Sequence, residues 1–340
     1  MQSNLINCCV TGGRIGIFVY ILLTDATHRI KKQKGFIIAD FNSNRILMEK
    51  VFITGISGFV GHTIAERAIA LGYNVSGIDR EGSKVAGARI EKADIRDKEA
   101  MLKLTKSVDY VIHVAAITSN LEFEKRMNVC YDVNVNGFNS IISAAYENGC
   151  KRFVYASSSA VYKDAFSETA PLDIHGSNNH YAKTKMINEM IGESYNDLGL
   201  LDTVGTRYFN IYGPGENRKG NYASIISLYL NMVLEKKPIT IYGDGKQARD
   251  LIYVGDVAEI TLRLLKKGKK GVYNVGTGKA TSYNEIADMI SSNKVHVDNP
   301  LSTYQLLTKA DTAKLLGAIG NYDFKDVKEG VREMIKAAGL

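Results

Sequence analysis

The chain has 340 residues, 45% of them hydrophobic and 23% charged, with 43 Lys/Arg against 36 Asp/Glu. That composition is ordinary for a globular protein, and the length gives ample core and suits one large α/β domain with an appended lobe, or two domains. The net +7 does not mark a nucleic-acid binder, because +4 of it falls within residues 1–47 and the main body is nearly balanced.

In those first residues, "IGIFVYILL" (15–23) is too short to span a bilayer, and no small-residue cleavage site follows it. "VTGGRIG" (10–16) has the letters of a nucleotide loop, but no amphipathic helix comes after it. Met48 then opens "MEKVFITG", so residues 1–47 are expected to be an extension outside the fold, with Met48 as the biological start.

From Lys50 the chain alternates strand and helix. "KVFITG" (50–55) is a β-branched run, and "HTIAERAIALGY" (62–73) has helical apolar spacing closed by Gly72. "NVSGID" (74–79) and a weaker "ARIEKAD" (88–94) follow as strands, then a charged helix (97–107). "DYVIHVAA" (109–116) reads as a central parallel strand, residues 134–149 as a helix, and "KRFVYASSS" (151–159) as the next strand. A helix from Tyr181 to about Asp197 leads into the strand "LDTVGTRYF" (201–209).

This βαβ rhythm predicts a doubly wound parallel sheet of the Rossmann type over 48–210. Past Asn210 the rhythm loosens into a Gly/Pro-rich loop, a helix (222–236), short strands and two further helical stretches. Residues 211–340 are expected to form mainly a smaller substrate-binding lobe, with returns to the main domain around 249–275.

Between the first strand and helix stands "TGISGFVG" (54–61), with Gly55, Gly58 and Gly61 at three-residue intervals. One glycine makes the turn, one lets backbone approach a diphosphate, and one allows close helix–strand packing, while the helix N-terminus offers N–H groups to the anion. Ser57, Phe59 and Val60 complete this loop. Asp79 ends the second strand eighteen residues after Gly61, where a carboxylate accepts from an adenosine ribose. It favours NAD over NADP, although the neighbouring Arg80 could accommodate a 2′-phosphate. Asp94 and Ile95, after the third strand, are placed to flank the adenine.

"HYAKTK" (180–185) sets Tyr181 and Lys185 four apart, on one helix face, with Lys183 pointing elsewhere. Alone, the pair is an ordinary feature of a surface helix. After a dinucleotide loop and the serines of "ASSSAVY" (156–162), it resembles the extended short-chain dehydrogenase/reductase family, and within it the NAD-dependent nucleotide-sugar epimerases and dehydratases. "HVAA" (113–116), "RYFNIYGPGE" (207–216), "IYGDGKQARDLIYVGDVA" (241–258) and "YNVGTG" (273–278) extend the resemblance over residues 49 to about 337.

The resemblance implies Tyr181 as general base and then acid, Lys185 as the cation that lowers its pKa and holds the nicotinamide ribose, and Ser158 as a hydrogen-bond partner of the reacting oxygen. A tyrosine near pKa 10 must drop by roughly 3 units to act at neutral pH, and neighbouring positive charge supplies shifts of that size. The resemblance adds Ala115 and Ala116 to the cofactor site and Asn210 and Arg249 to the substrate diphosphate. The other readings are a turn asparagine and a surface Arg249–Asp250 ion pair. Ser159 and Ala160 stand where the related dehydratases carry an acidic pair, which disfavours water elimination. The implied reaction is 4-epimerisation of a UDP-glucose/UDP-galactose-type sugar, by oxidation at C4 and hydride return.

"GPGENRKGNYAS" (213–224) and "TYQLLTKAD" (303–311) also resemble ADP-heptose 6-epimerases, where Lys219 would be a second acid/base at the substrate; in the 4-epimerase reading it is an ordinary loop cation. A nucleotide-sugar dehydratase, reductase or decarboxylase, and a non-catalytic NAD-binding protein, remain further alternatives. The resemblance also implies a homodimer through helices at about 134–149 and 181–197. No membrane or nucleic-acid partner is expected. Cys8, Cys9, Cys130 and Cys150 form no CxxC, and His62, His113, His175 and His180 lack ligand spacing. No metal site is expected, His113 reads as a core residue, and the cysteine usage fits a reducing, cytoplasmic setting.

Overall fold

The computed structural model describes residues 48–82, 84–162, 166–167, 179–216, 223–299 and 306–340, and the backbone of 6–11, 14–24 and 30–38. The chain divides into two compact units at Met48/Glu49. In the first, β1 (Ile6–Thr11), β2 (Arg14–Thr24) and β3 (Ile30–Ile38) form an antiparallel meander. A strand, not a helix, therefore follows the glycines of 10–16.

The second unit is built on β4 (Lys50–Thr54), α1 (Phe59–Ala70), β5 (Asn74–Asp79), β6 (Arg89–Lys92), α2 (Lys98–Leu104) and β7 (Tyr110–His113). It continues through α3 (Asn120–Tyr131), a π-helical turn (Asp132–Asn136), α4 (Gly137–Glu147), β8 (Arg152–Ser158), α5 (His180–Asp197) and β9 (Thr203–Tyr208). Helix α3 has no counterpart in the sequence-based expectation. Its residues are mostly polar, and its turns are interrupted at Arg126 by non-helical backbone, so the apolar spacing is faint.

Then come β10 (Asn210–Tyr212), α6 (Ile225–Leu234), β11 (Ile239–Tyr242), β12 (Ala248–Tyr253), α7 (Val254–Lys267), β13 (Gly271–Val275), β14 (Ala280–Ser282), α8 (Tyr283–Ile290), β15 (Lys294–Val297), α9 (Ala313–Ile319) and α10 (Val327–Ala337).

Seven strands pair in the order β13-β9-β8-β7-β4-β5-β6, every neighbour parallel. Alternation along each strand feeds two cores. Val51 and Ile53 of β4, Ile112 of β7 and Val154 of β8 pack with Ile64 of α1 and Ile260 of α7. Phe52, Val111, Phe153 and Tyr155 point the other way, onto Met101 of α2 and Phe138 and Ile141 of α4. A third core joins Ile226 and Tyr229 of α6, Ile239, Ile241, Leu251 and Val331, and belongs to the C-terminal lobe. Helices α7 and α9 and strand β13 return to the main sheet.

The strand order reverses between β4 and β7, and the carboxyl ends of parallel strands diverge there into a crevice. Helix α5 is pressed close beside it: a Cβ at Gly192 would lie 2.8 Å from the Tyr155 hydroxyl, and one at Gly205 of β9 2.7 Å from it. Tyr155 is thus wedged between helix and strand with no slack. Gly192→Ala is expected to lower unfolding free energy by about 1–3 kcal/mol through overpacking, measured by urea unfolding.

Candidate active site

The loop after β4 owes its path to two glycines. Gly55 has φ +70°, and a Cβ there would sit 2.9 Å from the Ala115 backbone. A Cβ at Gly61 would sit 2.1 Å from the Gly55 carbonyl oxygen. Helix α1 starts at Gly58 as N-cap, with no side-chain cap and no acidic residue in its first turn, so its N-terminus suits an anion. Phe59 is buried beneath the loop. The Ser57 N–H donates to Asp79 (3.2 Å), which ties the loop to the end of β5.

A cavity of about 180 Å³ runs past Gly55, Gly58, Asp79, Arg80, Asp94, Ile95, Ala115 and Ala116. Arg96 grips Asp94 through Nε (3.0 Å) and Nη2 (2.7 Å), which holds that carboxyl below its usual range. This cradle fits a dinucleotide: close-packed glycines and a helix N-terminus for the diphosphate, a carboxylate for the ribose, an apolar slot for the base.

A second cavity of about 420 Å³ shares Val114 and Ala116 with the first. Val60, Thr118, Asn120, Ser158, Tyr181, Lys185, Phe209 and Ile211 are on its wall. Asn179 caps α5 by accepting from the Ala182 N–H (3.1 Å), so Tyr181 lies in the first turn and Lys185 one turn on. Lys185 is 1% exposed, and its Nζ donates to the Ala156 carbonyl (2.8 Å) and lies 5.6 Å from the Tyr181 ring centroid.

Burial pulls Lys185 down to about 8, with the charge of Glu189 opposing. Burial pushes Tyr181 up to about 12, opposed by a hydrogen bond with Ser158. In the protein alone, desolvation of the phenol outweighs its surroundings, and the expected drop calls for the positive nicotinamide ring together with Lys185.

Asn210 and Arg249 line neither cavity. The Asn210 amide donates to the Asp250 carbonyl and to Thr308 Oγ1 (both 3.1 Å). Arg249 donates to the Ala248 carbonyl (2.9 Å) and lies over the Tyr283 ring. The Asp250 carboxylate is turned inward to the N–H groups of Thr277, Gly278 and Ala310 and makes no surface pair with Arg249. Lys219 and His175 lie outside the described residues.

His113 is a core residue, hydrogen-bonded to Thr54 (2.8 Å) and held by burial at about 3. His180 is within 3.3 Å of the Tyr131 hydroxyl. Among the described residues no acidic, His or Cys cluster could hold a metal, and no helix is long and apolar enough to cross a membrane. Cys130 and Cys150 are buried and free. Sequence reasoning passed over Glu189 and Arg207, which lie behind the cavity wall. The spacing of Glu189, four residues beyond Lys185, was the available signal.

A doubly wound sheet with a glycine-lined dinucleotide cradle opening into a Ser/Tyr/Lys pocket defines a nucleotide-cofactor enzyme of the extended short-chain dehydrogenase/reductase class. Residues 51–276 match the NAD dependent epimerase/dehydratase family, and the chain belongs to it, with NAD as its cofactor. A Methanocaldococcus jannaschii protein with the provisional name UDP-glucose 4-epimerase is 32% identical over 307 residues, covering 84% of this chain and 97% of that one. The UDP-N-acetylglucosamine 4-epimerase of Methanobrevibacter ruminantium, solved with UDP-N-acetylmuramic acid, is 28% identical with a TM-score of 0.76 over 85% of this chain and 98% of that one. MoeE5, solved with UDP-glucose and NAD, is 25% identical with the same TM-score and the same two coverages.

The Lys185 shift has a thermodynamic consequence. Its folded pKa lies below the unfolded value near 10.4, so the unfolded state holds its proton more tightly between about pH 8 and 10 and stability rises with pH there. Below pH 8 the buried charge costs about 3 kcal/mol. Lys185→Met is expected to raise the unfolding midpoint at pH 7, with the gain fading toward pH 10, while abolishing activity. Calorimetry at both pH values checks this.

Proposed function

We propose that the chain is a nucleotide-sugar 4-epimerase of the UDP-glucose/UDP-galactose type. The observation that carries this reading is the larger cavity's wall: it presents Tyr181, Ser158 and Lys185, and no carboxylate among its described lining residues. Epimerisation by oxidation and return needs one group that takes a proton and gives the same proton back, whereas elimination of water calls for a further acid. Ser159 and Ala160, following Ser158, supply none.

NAD, when bound, would supply a hydride acceptor and donor, and inversion would require the oxidised sugar to turn within the pocket between the two transfers. Tyr181 takes the hydroxyl proton and later restores it, which is general acid–base work. Ser158 holds the reacting oxygen by a hydrogen bond. Lys185 supplies fixed positive charge behind the phenol, and bound cofactor adds the positive charge that the protein alone lacks for lowering it. The Gly55–Gly61 loop would hold the cofactor diphosphate and Asp79 the adenosine ribose, while Asn210 and Arg249 are assigned to the substrate diphosphate by the resemblance alone.

The test is NMR of UDP-galactose incubated with the purified chain and catalytic NAD⁺. UDP-glucose is expected to appear without net NADH, and Tyr181→Phe to lose about 10²–10⁴-fold in rate. Steady NADH accumulation would mean a net oxidoreductase instead. An inert UDP-galactose would move the assignment to another sugar nucleotide, with ADP-heptose and Lys219→Ala tried next.

We propose further, from the resemblance, that the chain pairs as a homodimer through α4 and α5, on which Tyr146 (42% exposed) and Met190 (54% exposed) stand exposed. Light scattering is expected to give twice the chain mass, and a monomer mass would refute this pairing.

A further inference from the structure

Behind the pocket wall lies a buried polar chain that these roles leave unused. Glu189 is one turn beyond Lys185 on α5 and 5% exposed. Its carboxylate accepts from Ser157 Oγ on β8, and from Arg207 Nε (2.9 Å) and Nη2 (2.7 Å) on β9. Arg207 Nη1 donates to the Tyr162 hydroxyl (2.7 Å), which donates to Asn274 Oδ1 on β13 (2.7 Å).

A buried ion pair is a poor device for stability, since desolvation consumes most of its Coulombic gain. Its location is more informative. Ser157 stands between Ala156, whose carbonyl accepts from Lys185, and Ser158. The strand end carrying Ser158 and the helix carrying Tyr181 and Lys185 are thus fastened to one carboxylate.

Charge gives the second argument. The hydrogen bond made by the buried Lys185 ammonium goes to a neutral carbonyl. Tyr181 and Glu189 on its own helix and His113 on β7 act on it, and the Glu189 carboxylate is at the same time paired with Arg207 on β9. His113 is neutral in its buried setting, and Arg207 is a second cation. Glu189 is the buried anion of this set, and without it two cations would share one apolar interior.

We propose that Glu189 is a positioning residue for the reaction: it keeps Lys185 a cation inside the protein and holds the Ser158 end of β8 against α5. This rests on the reading of Tyr181 as the group that exchanges the substrate proton.

Glu189→Gln keeps the size and removes the charge, so Lys185 gives up its proton at lower pH. The alkaline limb of the kcat profile is expected to move toward acid by about one pH unit or more, with KM for the nucleotide sugar little changed. In NAD-loaded protein, the phenolate absorbance of Tyr181, taken as the difference from Tyr181→Phe, is expected to titrate at higher pH in the variant. This second readout needs no turnover, so an inactive wild type would sink the proposed function and leave the titration to decide on Glu189. A profile merely scaled down, with limb and titration in place, would overturn the proposal. Should Glu189→Gln not fold, Ser157→Ala removes one bond to the carboxylate and keeps its charge. There kcat is expected to fall about three- to tenfold with the limb unmoved, and an unchanged kcat would overturn the positioning role.

Discussion

A positive charge held in the interior governs the arrangement around it. Lys185 is 1% exposed, and the low-dielectric surroundings favour its neutral form. Everything that places the amine beside the phenol adds to that cost. Tyr155 can wedge α5 against β9 because Gly192 and Gly205 leave it room, and the Asn179 cap fixes where the helix begins. The close packing that makes the pocket wall rigid is also what strips water from the lysine. Stability and chemistry therefore pull in opposite directions at this residue, as they do at strained or desolvated functional sites in general.

The cofactor half was legible in the sequence because its chemistry is local. A turn that only glycine can make, a helix start and a strand ending in Asp79 are written within a few residues of one another. The parallel sheet was legible too, since strands buried on both faces read as apolar runs such as "DYVIHV". Helix α1 begins at Phe59, three residues earlier than apolar spacing indicates, because the cradle glycines are part of the helix start.

What escaped was long-range or weakly patterned. Helix α3 is polar and broken at Arg126. The link from Ser157 through Glu189 and Arg207 to Asn274 joins four separate elements, and no window of sequence contains it. The tyrosine's desolvation was equally hidden. Spacing puts a lysine near a phenol, but only packing says how much water both have lost. In the lobe, Asn210 and Arg249 stand on neighbouring strands whose side chains serve the lobe's own cohesion.

The π-helical turn at Asp132–Asn136 sits where α3 meets α4, and Asn134 within it clips the Ile117 backbone (2.8 and 2.9 Å) and Thr184 (3.1 Å) on α5. A widened turn absorbs an extra residue, and each residue of an α-helix is worth about 100° of rotation. The phase of the helix before the turn is therefore uncoupled from the phase after it. Residues 137–147 answer to the core, where Phe138, Ile141 and Ile142 are fully buried, while Asn120 and Leu121 answer to the mouth of the pocket. The turn acts as a joint between a half committed to the core and a half that shares itself between the core, through Phe123 and Cys130, and the pocket, through Asn120 and Leu121. Substitution at Asn120 or Leu121 could reshape the pocket wall and leave the foundation of the sheet undisturbed.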